Sequence, residues 1–155
     1  MPAPTVPIDY EAAVAEFHDA FQVPRPTGDD QNLYDHLRTR MALIAEEFVE
    51  TAEALDELMH HVHDDEWPAQ HWSELAKELT DLLYVTVGTA ELLGIPMGRT
   101  FAAVHRSNMS KLGADGKPIL REDGKVLKGP DYEPADLSDI VEEIRATHAE
   151  FAAGA

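Results

Sequence analysis

The sequence predicts an all-α fold: a helical bundle of four to five helices, with a short basic loop or hairpin before the last one. Three observations point that way. Apolar residues recur at helical spacing through long segments. Proline and glycine cluster between those segments, where they interrupt helices. The apolar fraction, 44% of 155 residues, is that of an ordinary globular chain long enough to bury one core. Residues 1–155 read as a single domain with no linker, low-complexity tract or repeat of fixed period.

The elements follow in order. Pro2, Pro4 and Pro7 mark an irregular start. Asp9 caps a short helix to about Gln22, with Ala13, Phe17 and Phe21 on one face. Pro24, Pro26 and Gly28 make a loop, and Asp29 or Asp30 begins a long helix to about Val62. Its stripe is Leu37, Met41, Ile44, Phe48, Thr51 and Leu55, ended by Asp64, Asp65 and Pro68. A third helix spans about Ala69 to Leu93 and stops at Gly94 and Pro96. A fourth runs from Met97 to about Lys111, with Phe101, Val104 and Met109 inward. Two turns, Asp115-Gly116-Lys117 and Asp123-Gly124-Lys125, flank Ile119 and Leu120 as a loop or small hairpin. Pro134 opens a last helix through Ile140, Val141 and Ile144 to about Phe151.

Composition narrows the function. Thirty acidic residues against twelve basic ones give a formal charge of −18, which argues against nucleic acid and anionic membrane as partners and suits a protein that concentrates cations. With no cysteine, disulfides and thiolate metal sites are excluded. No signal peptide or membrane span is recognisable, so a cytoplasmic location is expected.

Carboxylates occupy unexpected positions. Glu47 and Glu50, at i and i+3, share a stripe beside the core face of the second helix, where like charges repel unless a cation intervenes. On the third helix Glu78 falls between Leu75 and Leu82 inside the apolar stripe, and Asp81 flanks Val85. Buried carboxylates must be paired, protonated or metal-bound. Lys77, the nearby cation in sequence, projects on the wheel to another face. Glu-x-x-Glu on one helix and Glu-x-x-Asp on the next thus supply four oxygen ligands for a hard cation, Mg2+ or Mn2+. The alternative is a core pair neutralised by a folded-back arginine.

Six of the twelve basic residues lie between positions 106 and 128: Arg106, Lys111, Lys117, Arg121, Lys125 and Lys128. Basic side chains beside a divalent metal are a usual combination for polyphosphate. The plainer alternative is a solubilising loop balanced by Asp115, Glu122 and Asp123. His60-His61-x-His63-Asp64-Asp65 reads as a helix C-terminus, where histidine is favourable, rather than a transition-metal site. Trp67 and Trp72 either cover the core or pack a dimer.

Together, Leu37-Arg38-Thr39-Arg40, Glu46-Glu47-x-x-Glu50, Glu78-x-x-Asp81-Leu82-Leu83-Tyr84-Val85 and Val104-His105-x-x-Asn108-x-Ser110-Lys111 resemble the all-α NTP pyrophosphohydrolases. That superfamily holds MazG, phosphoribosyl-ATP pyrophosphohydrolase and dimeric dUTPase. The pattern looks closest to its short MazG-like branch from Deinococcus-type bacteria, and it covers roughly residues 10 to 148. The resemblance implies metal ligands at Glu47, Glu50, Glu78 and Asp81, and Glu46 as general base or further ligand; mechanistically, Glu46 or Glu47 is the expected proton acceptor. It implies nucleotide and phosphate contacts at Asn108 and Lys111; from the basic segment itself, Arg106 and Lys125 or Lys128 are expected to join Lys111 on the phosphates. It also implies a nucleoside triphosphate, plausibly dUTP, as substrate in nucleotide-pool house-cleaning. The assembly it implies is a homodimer or a dimer of dimers. The short branch is similar around Phe17-His18, where a base could bind, although Phe17 by spacing alone is core. Two rivals stand beside this reading. A di-iron or di-manganese carboxylate bundle wants two Glu-x-x-His motifs, and the chain has one, Glu57-x-x-His60. The other is a non-catalytic helical interaction module.

Overall fold

The computed structural model describes residues 7–27, 30–64 and 66–153, and the expectations at Pro2, Pro4, Gly28, Asp29 and Asp65 lie outside them. Among the described residues five helices form: α1 Tyr10–Ala20, α2 Asp30–His61, α3 Ala69–Leu92, α4 Met97–Met109 and α5 Ser138–Ala153. No strand occurs among the described residues, so the chain is all-α.

Local chemistry explains the boundaries. The Asp9 carboxylate accepts from the Ala12 backbone N–H at 3.1 Å and caps α1. Gly94, at φ 69°, takes the left-handed conformation that ends α3, its N–H donating to the Glu91 carbonyl. Leu120 and Val126 make a single antiparallel bridge, and Gly124 at φ 83° turns the chain between them, so the twin Asp-Gly-Lys segment is a small hairpin. The last helix begins at Ser138, four residues after Pro134. The intervening chain is held otherwise: Glu133 N–H donates to Ser110 Oγ, Ser107 Oγ donates to the Glu133 carbonyl, and the Asp136 carboxylate accepts from Ser138 N–H.

The chain forms two compact units, one comprising residues up to Gly94 with the segment from His148, the other Ile95–Thr147. In the first, α2 and α3 pack antiparallel. Thr51 Oγ1 donates to the Glu78 carbonyl at 3.2 Å, and Ala54, Leu58 and Leu75 form a buried cluster further along. Against α3 lies α1, with Val14 and His18 buried. A Cβ at Gly88 would come within 3.1 Å of His18 Nε2, so glycine permits this approach. In the second unit Ala103, Ser107 and Ile140 are buried, and Arg99 pairs with Glu143.

Burial departs from the expected stripes. Leu37, Met41, Phe48 and Leu55 of α2 are exposed, as are Phe101, Val104 and Met109 of α4 and Phe17 and Phe21 of α1. Trp67 and Trp72 stack on each other at 5.6 Å, both exposed.

Candidate active site

The long helix α2 and its antiparallel partner α3 set the site. Glu47 and Glu50 leave α2 toward α3, and Glu78 leaves α3 toward α2 from a buried position. One carboxylate oxygen of each lies within 4.8 Å of the others. The fourth expected ligand, Asp81, stands apart from this trio with its Oδ2 on Lys77 Nζ at 2.9 Å. The same ammonium donates to Glu78 Oε1 at 2.9 Å and Oε2 at 3.0 Å. This corrects the wheel: Lys77 does not keep to another face. Its long, flexible stem carries the charge back over both carboxylates, whose hydrogen bonds raise its pKa. Glu46 is exposed and outside the trio, though close enough for its charge to act on Glu47.

Burial, reinforced by the negative charge of Glu50, Asp81, Glu46 and Glu78, pushes the Glu47 carboxyl above its ordinary value. Such a trio holds excess negative charge that a single ammonium does not balance. Its all-oxygen donor set, on two rigid helices, fits a hard divalent cation.

Two depressions flank the acids. One, of about 760 Å3, is an open groove including Glu50, Glu53 and Glu78. The other, of about 270 Å3, has Glu47 and Asp81 at one side and Phe17, Tyr84 and Arg40 around it. Phe17 meets Tyr84 edge-on at 5.6 Å, so Phe17 is a pocket wall rather than core. Arg40 Nε is shielded from solvent and has no hydrogen-bond partner among the described residues. His18 is locked in place, its Nδ1 2.5 Å from Glu91 Oε2, and Arg25 holds the other oxygen of Glu91. The sequence reading gave Arg40 and Tyr84 no role. Each stands in a quoted motif, but only the α1–α3 approach brings Phe17 to Tyr84.

The expected phosphate-binding residues all lie in the second unit. Lys111 Nζ donates to Asn108 Oδ1 at 2.7 Å. Lys128 Nζ sits 4.1 Å over the Tyr132 ring. The Tyr132 hydroxyl is acidified by a hydrogen bond with Ser107, then by the charge of Lys128, with Lys111 adding to it. So Lys111 and Lys128 both act on Tyr132, a residue without a role in the sequence reading, and Asn108 is tied in through Lys111. Arg106 is exposed in the last turn of α4. Lys125 belongs to the hairpin tip, its backbone N–H on Asp123. Arg121 is neutralised by Asp123.

The sequence profile of the phosphoribosyl-ATP pyrophosphohydrolase family matches residues 14–108, more than half of the chain. A solved structure of a candidate NTP pyrophosphohydrolase from Exiguobacterium sp. 255-15 is 28% identical, covering 92% of this chain and 98% of that one, with a TM-score of 0.43. No curated protein matches the chain. With its α2 and α3 carboxylates inside the matched span, the chain belongs to the phosphoribosyl-ATP pyrophosphohydrolase family, within the MazG-like all-α NTP pyrophosphohydrolases.

Proposed function

We propose that the protein is a divalent-metal-dependent pyrophosphohydrolase that converts a nucleoside triphosphate, dUTP among the candidates, to the monophosphate and pyrophosphate. The observation that carries this is the meeting of Glu47, Glu50 and Glu78 across α2 and α3, beside an aromatic-walled pocket. Glu47, Glu50 and Glu78, with Asp81 as fourth ligand, would hold Mg2+ or Mn2+, which would supply charge neutralisation to the phosphates and acidify the attacking water.

The chain's own residues do the rest. Glu46 or Glu47 accepts the proton of the water that attacks the α-phosphorus. The bond to the bridging oxygen breaks, and pyrophosphate leaves with that oxygen. Phe17 and Tyr84 offer ring surfaces to a base, and Arg40 an unengaged donor. Lys111 and Asn108, with Arg106, Lys125 and Lys128, are assigned to the phosphates. The exposed Met41 and Phe48, 67% and 63% accessible, support a homodimer through α2. dUTP preference and the short MazG-like branch rest on the motif resemblance.

Product analysis over the common NTPs and dNTPs, with magnesium and with manganese, tests the reading. Monophosphate and pyrophosphate in equal amounts, dependent on metal, are expected. Inorganic phosphate as product would overturn it, and so would turnover in chelator. Either rival, a redox carboxylate bundle or an interaction module, would release no pyrophosphate. Glu50→Gln and Asp81→Asn each keep shape and remove a charged ligand, so both should stay folded and lose turnover.

A further inference from the structure

A second cluster lies on the same helical hairpin, well away from the carboxylate trio. Glu57 and His61 stand at i and i+4 near the end of α2, and His71 stands in the first turn of α3. One potential ligand atom from each lies within 4.8 Å of the others. Along α2, Glu57 is two turns beyond Glu50, roughly 10 Å.

We propose that Glu57, His61 and His71 form a site for a late first-row transition ion, zinc above all, that clamps the turn joining α2 and α3.

Three features carry this beyond proximity. The first is how His61 is held. Its Nδ1 lies 2.8 Å from Asp64 Oδ2, while Nε2 lies 3.9 Å from Glu57 Oε2. The Asp64 carboxylate orients the ring through one nitrogen and turns the other toward the Glu57 carboxylate. That is the outer-shell arrangement which metal-binding imidazoles use. The second is His71, whose Nδ1 is shielded from solvent and has no hydrogen-bond partner among the described residues. The third is the stacking of the two imidazoles, 4.2 Å apart and within 5° of parallel. The stack brings the rings of α2 and α3 side by side across the hairpin.

The donor set selects the ion. Two imidazoles and one carboxylate suit zinc and its neighbours, whereas Mg2+ prefers oxygen ligands and keeps its waters. Three protein ligands leave a tetrahedral position for water. Lone pairs lie in the ring planes, so the stacked rings must fan apart to converge on one ion. His60 is not part of the set, since its Nδ1 faces the Asp56 carbonyl oxygen at 2.8 Å. The ion would close the hairpin next to the Leu58–Leu75 contact, tying together the two helices that present Glu47, Glu50 and Glu78.

The test is a calorimetric zinc titration of the full chain in excess magnesium, which keeps the carboxylate trio occupied by its own class of ion. One zinc equivalent should bind. His61→Gln and His71→Gln should each lose it, Asp64→Asn should weaken it roughly tenfold to a hundredfold, and Glu50→Gln should keep it. Zinc binding that survives both histidine variants unchanged, or no binding by the native chain, overturns the proposal. Should a variant fail to fold, nitrogen-resolved NMR of the native protein decides instead. Zinc must then shift the ring signals of His61 and His71 while leaving buried His18 in place, and unmoved His61 and His71 signals refute the site.

Discussion

Lys77 Nζ lies 2.9 Å from Glu78 Oε1 and 2.9 Å from Asp81 Oδ2, so one ammonium shares two of the proposed metal ligands. A cation entering the trio competes with it for the same oxygens. Lys77→Ala is therefore expected to tighten Mg2+ or Mn2+ binding and to lower the melting temperature without metal, by uncovering acid repulsion. Calorimetry and thermal melts of the variant read both effects, and an unchanged metal affinity would mean that Lys77 does not guard the site. Glu47 makes a second residue-scale statement. Its folded pKa is raised above the ordinary glutamate value of 4.5, so over the window from there up to the raised value the native state binds more protons than the unfolded chain. Stability from this group must then fall as pH rises through that window and be greatest below it. Glu47→Gln should flatten that slope in metal-free melts across the carboxylate range. If the variant and native curves run parallel, Glu47 is not the strained carboxylate.

At the scale of elements, α2 carries two apolar faces where the sequence pattern suggested one. Thr51, Ala54 and Leu58 are buried against α3, while Leu37, Met41 and Phe48 line an open apolar depression of about 490 Å3. A helix 32 residues long can serve a partner on each side. If the second face joins two copies, Phe48→Asp places a charge in the interface and should shift the protein to monomer in sedimentation equilibrium. A native-like mass for that variant would remove α2 from the interface. The basic segment is the other informative element. There Lys111 contacts Asn108, whereas Arg121 is spent on Asp123. Lys111→Ala is expected to cost about one to two decades in kcat/KM, the worth of a charge-assisted hydrogen bond, with metal binding unchanged. Arg121→Ala should do little. Equal, small losses from both would return the segment to the role of a solubilising loop.

For the whole molecule, a formal charge of −18 ties the proposed cation binding to stability. On the proposed function a divalent ion would bind the folded trio and not the dispersed carboxylates of the unfolded chain, and would stabilise by about 2.7 kcal/mol at a hundredfold excess over its Kd. A rise in melting temperature with millimolar magnesium or manganese is the expected reading, and no rise even with a nucleotide analogue would count against the site. The all-α class, the order of the helices and the hairpin were legible in the sequence because periodicity, capping residues and Asp-Gly turns act within a few residues of each other. Glu47, Glu50 and Glu78 could be picked out for the same reason, as acids set in or beside apolar stripes. Three things depended on distant parts of the chain. Which apolar face of α2 is covered was decided by where α3 packs. That Phe17 and Tyr84 wall one pocket was decided by the approach of α1 to α3 at Gly88. And the Lys77 contact was decided by side-chain torsions, which a helical wheel, placing only the Cβ direction, does not contain.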